Sequence, residues 1–115
     1  ILYYDLVCLF TEVLMNDNEK EVLIQNMVDN LPTLRKRLGM SQEGLAALAG
    51  ISRSTLANIE KRKRRMTWNN FLALLLIFIK NKDTDKLLSV MEIYTDELNE
   101  FIKQTAAQTE STPEA

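Results

Sequence analysis

Five consecutive cations, Lys61, Arg62, Lys63, Arg64 and Arg65, follow a stretch that holds Ser52, Arg53, Ser54, Thr55 and Asn58. These residue types do recognition chemistry. Guanidinium and carboxamide groups donate and accept in planar pairs, and a dense run of positive charge attracts a polyanion. Acid–base and metal chemistry do not accompany them. The 115-residue chain has no histidine and one cysteine, Cys8, so zinc centres, Ser-His-Asp triads and Cys-His pairs are excluded. No pair of carboxylates stands out from solvated helix surface, so no enzyme activity, metal or cofactor is expected.

Charge is separated along the chain. The formal net charge is −2, yet residues 31–82 hold 11 basic residues against two acidic ones, Glu43 and Glu60, a local balance of +9. The flanks hold 3 basic and 14 acidic residues, a balance of −11. Such asymmetry in so small a protein is an argument about partners, and it points to a polyanion. A solvated loop is the ordinary fate of an isolated basic run, so its meaning depends on the elements that carry it.

Those elements read as helices. Only three glycines and two prolines punctuate the chain, and the length suits one compact core. Residues 1–15 are apolar on both sides of a helix. They hold Asp5 and Glu12, lack a basic leader and are shorter than the roughly 20 residues of a membrane span, so a cytoplasmic protein with no membrane partner is expected. Cys8 in that segment reads as a buried thiol in a reducing compartment. The absence of an initiator methionine suggests that the biological start lies elsewhere. Asn18 with Glu21 reads as a cap for a stripe of Val22, Leu23, Ile24, Met27 and Val28. Pro32 is expected to break that helix and to open another over 31–38.

Gly39 suits a left-handed helix closure, and Ser41 can cap a helix over 42–49 with Leu45, Leu48 and Ala49 inward. Gly50 closes that helix and Ser52 caps the next, over about 53–61. Two short helices around a tight glycine-bearing turn describe a helix-turn-helix. Leu56 and Ile59 would pack on Leu45 and Leu48, which turns Ser54, Asn58 and Lys61 outward with Arg53 and Ala57 beside them. Thr67 caps a helix over 68–80 that is apolar on every face and must be enclosed. A last helix from Thr84 would carry a seam of Leu87, Met91, Tyr94, Leu98 and Phe101, and the residues after Lys103 should fray.

The segment "LRKRLGMSQEGLAALAGISRSTLANIEKRKRRMTWNNFLALLLIF", about 45 residues from Leu34 to Phe78, resembles the phage-repressor and Cro type of helix-turn-helix regulator, also called the xenobiotic-response-element type. Leu-Arg before the first turn, Ser-Gln at the second helix, Leu-Ala then Ala-Gly, Ile-Ser-Arg-Ser-Thr and Ile-Glu match together. The resemblance implies an all-α, lambda-repressor-like bundle with extra helices at both ends. It divides the chain into an N-terminal helical extension (1–30), a DNA-binding domain (31–82), a C-terminal helix suited to dimerisation (83–103) and a flexible tail (104–115). By it, Gln42, Ser52, Arg53, Ser54, Thr55, Asn58 and Lys61 to Arg65 face double-stranded DNA, while Arg35 and Glu60 form a structural ion pair. Arg53 would take both guanine acceptors and Asn58 would pair with adenine, with the basic run and Gln42 on phosphates. Ser52 and Ser54 also read as plain helix caps. Relatives often have glycine where this chain has Arg62, so the helix is expected to run on or to leave differently. Gly44 stands where a polar residue is usual.

The function implied is a sequence-specific transcriptional regulator, a repressor binding a palindromic operator as a homodimer. Two alternatives stand beside it: an antitoxin that represses its own operon while an apolar flank blocks a toxin, and a protein-interaction adaptor in which the helix-turn-helix is a scaffold.

Overall fold

The computed structural model describes residues 15–111, with side chains described through residue 103. The apolar opening segment, with Cys8, lies outside the described residues. Those described form six helices and no strands: α1 (Asp17–Arg37), α2 (Gln42–Ala49), α3 (Arg53–Glu60), α4 (Trp68–Lys80), α5 (Lys82–Val90) and α6 (Asp96–Ser111). The all-α expectation holds.

Helix α1 starts two residues earlier than expected. Asn16, rather than Asn18, accepts from the Glu19 backbone N–H, and the Glu19 carboxylate accepts from the Asn16 N–H in return, a reciprocal capping box. The helix then runs 21 residues straight through Pro32, so the expected break at 31 is absent. A mid-helix proline costs about 3 kcal/mol. Here the burial of Leu23, Ile24, Met27, Val28, Leu31 and Leu34 along one stripe outweighs that cost, since each buried aliphatic side chain contributes about 1.5–3 kcal/mol. Burial of both Leu31 and Leu34 needs the helical register on each side of the proline.

Serine and threonine caps set the next boundaries as expected: Ser41 accepts from Gly44 N–H, Ser52 from Thr55 N–H and Thr67 from Asn70 N–H. Gly50 closes α2 at φ 74°, and the Ile51 N–H reaches back to the Ala46 carbonyl. One residue of α2 expected to face inward does not. Leu45 and Ala46 are buried and Ala49 half-buried, but Leu48 is 62% exposed. At 100° per residue, positions 45, 46 and 49 share an arc that leaves 48 to one side. Leu56 and Ile59 of α3 therefore join the core without Leu48.

Helix α4 buries Phe71, Leu74, Leu75 and Phe78, but it is not enclosed on every face, because Leu76 is 59% exposed. Thr84, expected at a helix start, is instead fully buried inside α5, where its hydroxyl donates to the Phe78 carbonyl at 2.7 Å. That bond satisfies an end carbonyl of α4 where it turns sharply into α5. The single seamed C-terminal helix is two helices. Residues 91–95 interrupt it, with Glu92 at φ 57°, and the buried set is Thr84, Leu88, Ile93 and Leu98. Leu87, Met91, Tyr94 and Phe101 pack half-buried against that core, so the seam is used within the chain. Helix α6 extends past Lys103 to Ser111, across residues expected to fray.

Three polar contacts tie the C-terminal pair to α1, among them a bond from Arg37 Nε to the Asp83 carbonyl at 3.4 Å. Asn26 donates to the Glu92 carbonyl at 2.9 Å, and the Lys20 ammonium lies 5.3 Å from the Trp68 ring and 5.7 Å from that of Phe101. Trp68 in turn stacks on Phe71 at 4.9 Å. The helix-turn-helix is thus backed by helices before and after it.

Candidate nucleic-acid interface

Only three residues, Gly50, Ile51 and Ser52, separate α2 from α3. The buried pair Leu56 and Ile59 fixes the rotation of α3 about its axis, and the opposite edge consequently faces out. Arg53, Ser54 and Lys61 are exposed, and Thr55, Ala57 and Asn58 are half-buried. Arg53 borders a groove with Ser41, Gln42 and Glu43 at the start of α2, with Arg35 at its base. The first turns of both helices therefore open on the same side, with an edge of small and polar groups between them.

A partly buried ion pair ties the end of that edge to α1. Arg35 of α1 grips Glu60, the last residue of α3, by two bonds: Nε to Oε2 at 2.8 Å and Nη2 to Oε1 at 3.1 Å. Its remaining Nη1 donates to the Met40 carbonyl at 3.0 Å. The side chains are 14% and 7% exposed. Gln42 joins them, donating from Nε2 to Glu60 Oε1 at 3.1 Å. Expected on a phosphate, Gln42 is thus engaged within the chain and has one amide hydrogen left to offer. No spacing in the chain signals this contact, because it depends on three helices meeting.

Ser52 and Thr55 are also engaged with each other. The Ser52 hydroxyl accepts from the Thr55 N–H at 3.0 Å and donates to Thr55 Oγ1 at 2.8 Å. Their first role is to begin α3, and the Thr55 hydroxyl keeps its own hydrogen for an outside acceptor. Arg53, Ser54 and Asn58 make no side-chain hydrogen bond among the described residues.

After Glu60 the helix does not run on. Lys61 is its C-cap, and Arg62 takes the left-handed conformation at φ 62° that glycine would adopt without penalty. The Lys63 and Arg64 N–H groups both reach back to the Asn58 carbonyl, at 2.8 and 3.2 Å. The chain therefore turns sharply and carries the basic run toward α1. All five cations of the run are exposed. Arg62 pairs with Asp29 and Arg65 with Glu21, both on α1. Neither pairing was anticipated. An acidic residue on the flanking helix was the available signal, but its spacing to the loop cannot be read from the chain. Nothing in the packing requires glycine at position 44, where an added Cβ would meet only ordinary contacts at 3.4 and 3.6 Å.

Chemically, the arrangement offers bidentate and single donors on a narrow helical edge, bordered by exposed positive charge of which Arg62 and Arg65 are paired with carboxylates. A helix of this kind fits the major groove, its first residues reaching base edges while flanking cations meet phosphates. Compared with known families, residues 33–74 match the helix-turn-helix family model. The match covers α2, α3, the end of α1 and half of α4. Neither a curated protein nor a solved structure matches the chain. No helix among the described residues is long and apolar enough to cross a membrane.

Proposed function

Residues 33–74 form a helix-turn-helix domain of the phage-repressor and Cro type, a DNA-binding regulator family, and from that premise we propose that the protein is a repressor that binds a palindromic operator as a homodimer. The observation that carries the reading is the outward edge of α3, where Arg53 and Ser54 are exposed at its first turn and the half-buried Asn58 follows one turn on. In this reading Arg53 takes guanine O6 and N7 and Asn58 takes adenine N6 and N7. Each good bidentate pair is worth about 1–3 kcal/mol of discrimination. Ser54 and Thr55 add single hydroxyl contacts, and small Ala57 lets the helix sit close. Lys61, Lys63 and Arg64 bind phosphate, with the spare amide hydrogen of Gln42 directed at the backbone beside Ser52.

An eight-residue recognition helix spans few base pairs, so a single module discriminates weakly. Two modules related by a two-fold axis, on half-sites about 34–36 Å apart, supply the missing specificity. Occupancy alone then obstructs transcription, so repression in this reading needs no surfaces beyond those that bind DNA and pair the two copies. Selection of bound duplexes from a random pool tests the reading. Enrichment of a palindrome with half-site centres about 10–10.5 base pairs apart is expected. Recovery of sequences with no common motif would refute it.

A further inference from the structure

The basic run does not stand free of the rest of the protein. Because Arg62 turns the chain back, Arg62 to Met66 lie along α1 and border a groove with Gln25 and Val28. Two of the five cations meet carboxylates there: Arg62 with Asp29 and Arg65 with Glu21. The two carboxylates are eight residues, about 12 Å, apart on α1. Lys61, Lys63 and Arg64 make no ion pair among the described residues.

We propose that Glu21 and Asp29 compete with DNA phosphates for Arg65 and Arg62, so that the run presents three cations rather than five to a random duplex. The inference rests on the DNA-binding reading above. A cation that already holds a carboxylate displaces no counterion from DNA, and the carboxylate itself repels a phosphate brought close. Both pairs are solvent-exposed, with Arg62 57% and Arg65 76% accessible, and exposed pairs are weak. The competition is therefore graded. Random duplex, which offers phosphates in shifting registers, displaces the carboxylates little, whereas a site whose contacts with α3 fix the register sets phosphates beside both arginines and displaces them further. The acidic flank thereby lowers non-specific affinity and raises the specificity ratio.

The test uses the full chain and a random-sequence duplex, with affinity measured between about 50 and 200 mM salt. Glu21→Gln with Asp29→Asn should bind about three- to tenfold tighter at the low end, with a log–log salt slope steeper by about 1.8, two phosphates at about 0.9 each. Asp85→Asn with Glu97→Gln removes the same charge from α5 and α6, and it should leave the slope unchanged. In a background of Arg62→Gln with Arg65→Gln, neutralising Glu21 and Asp29 should also leave the slope unchanged. Circular dichroism melts confirm that each variant is folded. An unsteepened slope in the Glu21 and Asp29 variant, while the wild type binds duplex, overturns the competition alone. Equal steepening in the Asp85 and Glu97 variant overturns it too, as a mere net-charge effect. Absence of duplex binding by every protein overturns it together with the DNA-binding reading.

Discussion

Replacing Arg35 with methionine perturbs the one ionic contact that links α1 to the end of the proposed recognition helix. The substitution keeps much of the aliphatic stem and removes three donors. Glu60 loses bonds of 2.8 and 3.1 Å and retains only that from Gln42, while the Met40 carbonyl loses its 3.0 Å donor. Glu60 is 7% exposed, so water restores little of the lost solvation. Removing one partner of a buried pair costs about 3–5 kcal/mol, and the remaining amide bond places this case near 3. Domains of this size are stable by roughly 5–15 kcal/mol, so the loss is a large share of the total. Urea unfolding followed by circular dichroism measures it, with an unchanged slope showing that the midpoint alone has moved. The double variant Arg35→Met with Glu60→Met leaves no unpaired charge and should recover at least about 1.5 kcal/mol of the sum of the two single losses, the coupling of a contacting pair. Single variants that each cost under about 1 kcal/mol, with additive effects, would refute the claim that this pair fixes α3.

Other substitutions separate the roles assigned above. Arg53→Ala should relax preference at one base position of a selected motif, whereas Arg64→Ala should weaken all duplexes alike and flatten the salt slope by about 0.9, both read by repeated selection and salt titration. Thr84→Val should cost about 1–3 kcal/mol in chemical denaturation, because the Phe78 carbonyl is left buried without its donor. Gly44→Ala should gain about 0.4–1 kcal/mol, since the position is helical and has room for a methyl group. Gly50→Ala should instead lose about 1 kcal/mol at φ 74°, although its Cβ would meet nothing within 4 Å, and a shared melting series compares the two.

The helix-turn-helix was legible because its determinants are local. Ser41, Ser52 and Thr67 cap helices whose boundaries follow from the next few residues, and Gly50 marks the turn between α2 and α3 at a position that needs a left-handed backbone. Arg35 with Glu60 was legible through resemblance alone, since 25 residues separate them. What failed depended on burial. Pro32 breaks a helix by local preference, yet the stripe from Leu23 to Leu34 holds one helix across it. The seam from Leu87 to Phe101 fits one long helix in register, but Ile93 and Leu98 reach the core only if the chain turns at Glu92. In the site, exposure of Arg53 and Ser54 followed from where Leu56 and Ile59 must go. The engagement of Gln42 with Glu60, and of Arg62 and Arg65 with α1, depends on how helices distant in sequence meet, which no spacing encodes.

Titration of isotope-labelled protein with its selected duplex, followed amide by amide in nuclear magnetic resonance spectra, shows whether α3 enters the duplex. The largest shifts are expected at the first turn of α2, residues 42–44, and along α3 from 52 to 58, with smaller ones along 61–65. A duplex that binds while the amides of α3 stay unmoved, with the shifts confined to α5 and α6, would contradict it.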